Sequence, residues 1–170
     1  IYTNIDFEVD KKSENFCGQC SQCIDVCPTK AIIAPNVLDD NKCIAYLTIE
    51  LKGSIPKKYR KNIGNRIFGC DDCLAICPWN SFAIEANDKK LDENSKINLM
   101  PLNTWLSLND QKFREITSGT TIKRTGYARM MRNCLIAAGN SKDNSLVKKI
   151  KLFLYSEYEM LRGASVCALK

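Results

Sequence analysis

Cysteine is the residue whose spacing carries chemistry in this chain. Residues 17 to 28 read CGQCSQCIDVCP, and residues 70 to 78 read CDDCLAICP. The first is a complete C-x₂-C-x₂-C-x₃-C-P run, and the second is the same run without its leading cysteine. An iron–sulfur cubane needs four soft thiolates converging on a small volume. Such a run places three of them on one tight turn, while the fourth, just before the proline, serves the other cluster. By that rule Cys17, Cys20, Cys23 and Cys77 hold one cluster. The second takes Cys27, Cys70, Cys73 and one more thiolate. Cys43 is the candidate, because Cys134 and Cys167 lie far downstream in helical sequence. Eight thiolates then serve two 4Fe–4S cubanes.

Two other uses of dense cysteine compete. A disulfide framework suits small secreted chains, but this one opens without a charged and then apolar leader. Its closely recurring C-x₂-C pairs and lysine-rich composition point to an intracellular, cytoplasmic setting. Zinc is the stronger rival, since two C-x₂-C pairs can make a Cys₄ site. The proline endings and the count of eight favour two cubanes. There is no histidine in 170 residues, which removes histidine-ligated zinc or haem, Rieske ligation and histidine acid–base catalysis from this chain. No apolar run approaches the length of a membrane span. The first residue is Ile1, consistent with a piece of a longer protein.

The elements that must position these thiols fall into two unequal halves. Residues 1 to 10 alternate apolar and polar, as a short half-buried strand would. Each cysteine run closes with a proline and an apolar stretch: Ala31, Ile32 and Ile33 after the first, Phe82, Ala83 and Ile84 after the second. That repeat predicts the pseudo-symmetry of a two-cluster ferredoxin. Between the runs lie CIAYLTIE (43 to 50) and a basic stretch holding Lys52, Lys57, Lys58, Arg60, Lys61 and Arg66, an insertion that a simple ferredoxin would not need. Residues 87 to 98 are polar and read as a linker.

Beyond the linker the period becomes helical, with short helices expected at 100–108 and 110–116. A longer one has an apolar stripe at 122, 127, 128, 131, 135 and 138 and is ended by Gly139-Asn140; two more amphipathic stretches cover 145–155 and 157–169. Paired helices of this kind suggest a HEAT-type repeat module. The expected class is α+β: a two-cluster ferredoxin-like domain over 1–98, followed by a small HEAT-like α-helical domain over 99–170. The net charge of +6 is unevenly spread. Residues 111 to 170 carry 12 Lys and Arg against 4 Asp and Glu, a net of +8, whereas residues 1 to 110 carry 13 against 15. The basic half suits either a polyanionic partner or a solvated lysine-rich face.

Taken together, CGQCSQCIDVCPTKAI, CIAYLTIELKGSIP and IGNRIFGCDDCLAICPWN resemble the iron–sulfur region of the epoxyqueuosine reductases, and KRTGYARMMRNCLIAAGN resembles that family's helical C-terminal region. The cysteine runs are generic to ferredoxins; the YLTIE segment between Cys43 and the second run makes the match specific. The resemblance implies an oxidoreductase that reduces epoxyqueuosine in tRNA to queuosine with a cobalamin, using two 4Fe–4S clusters as the electron relay. It also implies a ferredoxin or flavodoxin donor and a helical region that grips tRNA, in a chain taken to be monomeric and not membrane-bound. The family's N-terminal domain, which supplies most of the cobalamin site and the catalytic acid, has no counterpart here, so no catalytic residue is expected in this chain and turnover is not expected of it alone.

Cobalamin contacts would fall on Gly69, the backbone of Cys70, and Asp71, with Tyr46, Thr48 and Glu50 as a second face; alternation at 46, 48 and 50 fits a half-buried strand equally well. Lys123, Arg124, Arg129 and Arg132 would meet tRNA phosphates, the last two as an i, i+3 pair. Trp79 and Trp105 are read as packing residues, and Cys134 and Cys167 as buried small hydrophobes. A stand-alone two-cluster ferredoxin and a reductive dehalogenase-like enzyme are the alternatives. Both fit the cysteine runs, but neither calls for the basic helical half.

Overall fold

The computed structural model describes residues 2–84 and 95–170; part of the expected linker lies outside them. Two helical turns carry the cysteine runs, α1 (Gln22–Val26) and α3 (Asp72–Ala75). Both stop for the same reason. Cys27 (φ −60°, ψ 114°) and Cys77 (φ −65°, ψ 123°) are extended because each precedes a proline, whose ring disfavours helical geometry in the residue before it. That extended step carries the last thiol of each run away from its own turn. The two turns pack against each other, but the apolar stretch after the first run forms a strand, Ile32–Ala34, whereas Pro78–Phe82 after the second is a 3₁₀ turn.

The chain is mostly helical. Its only sheet among the described residues is the hairpin of β1 (Ile32–Ala34) and β2 (Val37–Leu38), paired antiparallel with Ile32 opposite Leu38. Residues 2–10 form no strand and are exposed throughout, so the expected strand at the start of the chain is absent. Alternation alone stabilises nothing without a neighbouring strand to pair with.

The segment after Cys43 also departs from expectation. Residues 44–50 are helical and close in a π-turn over Tyr46–Glu50, with the N–H of Leu51 donating to the carbonyl of Tyr46 at 2.9 Å. The Thr48 hydroxyl donates back to the carbonyl of Ile44 at 2.6 Å, a competition that serine and threonine bring to helices. Leu47 and Thr48 both become buried, at 1% and 0% exposure. Positions 46, 48 and 50 therefore share no strand face.

After α2 (Lys57–Ile63) and α3, the helical half begins with α4 (Ser95–Asn98), α5 (Leu102–Trp105) and α6 (Asp110–Ile116). It continues with α7 (Tyr127–Ser141), α8 (Val147–Leu152) and α9 (Glu159–Ala168). Asn109 caps α6, its Oδ1 accepting from the N–H of Lys112 at 2.9 Å. One hydrophobic core gathers Phe113, Met131, Leu135, Ile150 and Leu161. A smaller one joins Ile44, Leu47, Ile55 and Ile63 to Ile136. Since Met131 and Ile136 both belong to α7, that helix serves both cores. Cys134 is buried and burial pushes its thiol up, as for a small hydrophobe, whereas Cys167 is only half-buried.

Gly139 does not end α7, which runs on to Ser141. It lets α9 approach: a Cβ there would stand 2.7 Å from Ala168 Cα. Replacing Gly139 with alanine should cost about 1–3 kcal/mol through overpacking and lower the urea midpoint. An unchanged midpoint would show that α9 shifts at no cost.

Candidate iron–sulfur centre and the helix behind it

Two adjoining cavities divide the cysteines. One, of about 390 Å³, is lined by Cys17, Cys20, Cys23 and Cys77 together with Phe16, Trp79 and Phe82. The other, of about 450 Å³, is lined by Cys27, Cys43, Cys70 and Cys73, with Cys23 and Cys77 at the shared boundary. Both volumes lie in the range of small-cofactor sites. The convergence of so many thiols suits iron–sulfur clusters, although Asp71 and Asp72 also line the second cavity. Among the described residues no three Cys, Asp or Glu side chains crowd closely enough for one metal ion. Each cavity is lined by at least four cysteines, the number of thiolates that a 4Fe–4S cluster takes.

The thiols differ in surroundings. Cys17 and Cys20 are exposed, while the other six lining cysteines are half-buried. Burial pushes the Cys27 thiol up, but the N–H groups of Ala31 and Ile32 and the Thr29 hydroxyl outweigh it, and the thiol lies below its ordinary range. The Ala31 N–H donates to Cys27 Sγ at 3.2 Å. Such donors stabilise negative charge on sulfur and raise the potential of a cluster that the sulfur ligates. Cys70 and Cys73 lie above their ordinary range, chiefly through burial. Arg66 grips Asp72 beside them at 2.5 Å, and its guanidinium holds the Asp72 carboxyl low.

Trp79 packs at the rim of the first cavity. Its ring stands edge-on to Phe16 at 5.9 Å, and its indole N–H donates to the Phe16 carbonyl at 3.3 Å. Trp105 is buried in the helical core.

The residues expected to touch a cobalamin fare unevenly. Thr48 is wholly buried, and its hydroxyl accepts the Gly69 N–H at 3.0 Å. That removes Thr48 as a contact and commits the Gly69 donor inside the protein. The exposed Glu50 accepts from Arg124 at 2.6 Å. Tyr46 is half-buried, and Asp71 is exposed in the left-handed region at φ 58°.

The basic residues expected to meet phosphates also separate. Lys123 and Arg124 are exposed on the 3₁₀ turn Thr121–Thr125 that precedes α7. Arg129 is partly buried, and its guanidinium donates to the carbonyls of Thr125, Ile49, Glu50 and Arg124. Arg132 is 1% exposed. It donates to the carbonyls of Leu47 (2.8 Å), Leu51 (2.7 Å) and Gly53, and to Asn133 Oδ1 (3.1 Å). A side chain sealed and satisfied in this way cannot reach a phosphate, so the pairing of Arg129 with Arg132 as a nucleic-acid face is corrected. Burial, with Arg129 and Arg60 nearby, pushes the Arg132 pKa down to about 10, so the group remains a cation at neutral pH.

Sequence reasoning missed the polar residues of α7. Asn133 donates to the carbonyls of Thr48 (2.7 Å) and Ile67 (2.8 Å), and Asn140 to those of Arg60 (2.8 Å) and Gly64 (2.7 Å). The signal was present: Arg132-Asn133 interrupts the apolar run from Met130 to Ala138. Buried polar groups in such a place must be bonded.

Residues 16–80, which hold the eight cysteines lining these cavities, match the model of a 4Fe-4S double cluster binding domain. The chain is 44% identical over 141 residues to an epoxyqueuosine reductase of Xanthomonas campestris pv. campestris, covering 83% of this chain and 40% of that protein. It is 40% identical to one of Francisella cf. novicida, covering 95% and 46%. A crystal structure of epoxyqueuosine reductase with a tRNA-Tyr epoxyqueuosine-modified tRNA stem loop superposes with a TM-score of 0.90 at 30% identity, covering 98% of this chain and 44% of that one. The enzyme from Streptococcus thermophilus superposes at 0.83 with 28% identity. The chain is similar to epoxyqueuosine reductases over most of its own length and spans less than half the length of these relatives.

Proposed function

We propose that this chain is the electron-relay and tRNA-binding portion of a reductase that converts epoxyqueuosine in tRNA to queuosine. Cys17, Cys20, Cys23 and Cys77 hold one 4Fe–4S cluster, and Cys27, Cys43, Cys70 and Cys73 hold the second. The observation that carries this reading is the division of the eight cysteines between two adjoining cavities with Cys23 and Cys77 at the boundary. Clusters so placed pass single electrons over a short distance. The exposed Cys17 and Cys20 make the first the natural entry for a ferredoxin or flavodoxin donor.

A cobalamin, held mainly by parts of the protein outside this chain, would supply the chemistry at the epoxide. Tyr46, Asp71 and the Arg124-paired Glu50 are the expected contacts that remain accessible here. The ferredoxin-like region is assigned to 1–98 and the HEAT-like helices to 99–170. The whole is taken to be a cytoplasmic monomer; among the described residues no helix is long and apolar enough to cross a membrane. The similarity to epoxyqueuosine reductases and the tRNA-bound neighbour support the substrate.

Anaerobic reconstitution should load about eight irons per chain, two cubanes' worth. Cys43→Ala should lose one cluster and keep the other, leaving about four. A full iron load in Cys43→Ala would overturn the fourth-ligand assignment. Recovery of zinc alone after both aerobic and anaerobic purification would overturn the redox reading.

A further inference from the structure

We infer that Asn133 and Thr48 are positioning residues for the second cluster, forming a bracket from the helical half that fixes the Cys43 segment against the Cys70 segment. This deepens the proposed function and rests on its assignment of Cys43 and Cys70 to one cluster. Those two thiols arrive on different stretches of chain, with all of residues 44–69 between them. A cubane tolerates little error in the separation of its ligands, so something must hold the two stretches in register.

The bonds that do so run in one line. Asn133 Nδ2 donates at 2.7 Å to the carbonyl of Thr48, five residues after Cys43, and at 2.8 Å to that of Ile67, three residues before Cys70. One amide thus bridges both stretches. The Thr48 hydroxyl adds a second tie. It donates to the carbonyl of Ile44, next to Cys43, and accepts the N–H of Gly69, next to Cys70. The amide cannot turn around, because Arg132 Nε donates to Asn133 Oδ1 at 3.1 Å and leaves Nδ2 facing the carbonyls. Thr48 is 0% and Asn133 1% exposed, so water cannot replace either tie. Residues 44–50 and the loop ending at Gly69 share no sheet; these hydrogen bonds fix their register, beside the apolar packing of Cys70 against the core that holds Ile44 and Leu47.

The first cluster's proposed ligands lie outside this network, and that asymmetry makes the bracket testable in the full chain. Thr48→Val keeps the shape and removes the hydroxyl; Thr48→Ser keeps the hydroxyl; Asn133→Leu removes the amide. After anaerobic reconstitution, Thr48→Val and Asn133→Leu should hold about half the iron of the parent, with one of the two reduced-state EPR signals lost, since each cubane carries four irons. Thr48→Ser should match the parent in both readouts.

Full iron and an unchanged spectrum in both Thr48→Val and Asn133→Leu would overturn the bracket. Loss of both clusters together would also overturn it, because those residues would then support the fold as a whole. Cys43→Ala, run alongside, separates the two readings. If it keeps all its iron, the cluster assignment fails and the bracket's role fails with it. If it loses half while Thr48→Val and Asn133→Leu lose none, only the bracket fails.

Discussion

Arg132→Ala is expected to be the most destabilising single change in the chain. The guanidinium is buried and donates to the carbonyls of Leu47, Leu51 and Gly53 as well as to Asn133. Those carbonyls belong to the π-turn itself, at Leu47, and to the segment after it, at Leu51 and Gly53. Removing the donor leaves the buried Leu47 carbonyl and Asn133 Oδ1 without that bond, at about 1–3 kcal/mol each, while the part-buried carbonyls of Leu51 and Gly53 can turn to water. Burial penalises the cation, which is why its pKa falls to about 10, and the carbonyls offset that penalty. A net loss of at least about 3 kcal/mol follows, a large part of the 5–15 kcal/mol that ordinarily holds a domain together. Thermal unfolding followed by circular dichroism should show a midpoint roughly 6–12 °C lower, at about 2–4 °C per kcal/mol for a chain of this size. Arg132→Lys should recover only part, because one ammonium cannot reach carbonyls spread across the fork of a guanidinium. A midpoint within about 1 °C of the parent would show that these carbonyls find other donors, against the cost expected for unmet buried groups.

The same residues show what sequence could convey. The cysteine runs were legible because their geometry is nearly covalent: three thiols within seven residues and a proline that forces the fourth outward leave little for tertiary structure to decide. The helices α6 and α9 were legible from period alone, since their apolar faces meet one core. The π-turn was not. YLTIE alternates like a strand, and only the Thr48 hydroxyl, bonded both within its own turn and to the Gly69 N–H 21 residues on, reveals why it coils. Arg132 was misread because a charge in a basic half looks like a surface charge until its neighbours Met131, Asn133 and Cys134 are seen to be buried as well. Gly139 looked like a stop because the partner that needs its missing Cβ, Ala168, lies a full helix later in the sequence. Each error is long-range: the residue type was visible, but its partner was not.

The α7 helix thereby acquires two duties of different kinds. Its interior polar residues hold the segments that deliver Cys43 and Cys70, and the 3₁₀ turn that leads into it displays Lys123 and Arg124 to solvent. Arg129 stands between them, with its donors on carbonyls from both sides. Substitutions on the inner face should therefore register in stability and iron content, and substitutions on the leading turn in binding.

Replacing Lys123 and Arg124 together with alanine should weaken tRNA binding by at least about tenfold at low salt, close to 1.4 kcal/mol. Each phosphate contact releases counterions, so log affinity falls linearly with log salt, by about 0.9 per neutralised phosphate in a duplex. Losing two contacts should flatten that slope by roughly two units in a filter-binding titration. Alanine is preferred to glutamate because Glu50 already lies 2.6 Å from Arg124, and a second carboxylate there would add repulsion unrelated to tRNA. The ion pair itself is half exposed on both sides, so breaking it should cost no more than about 1 kcal/mol and leave the fold and the iron content intact. Arg129→Ala is the informative contrast. Four of its five N–H donors are committed to carbonyls, so it should lower thermal stability more than it changes the salt slope. Unchanged affinity and slope in the Lys123 and Arg124 double variant would place the grip elsewhere, on the exposed Lys57, Lys58 and Lys61 of α2.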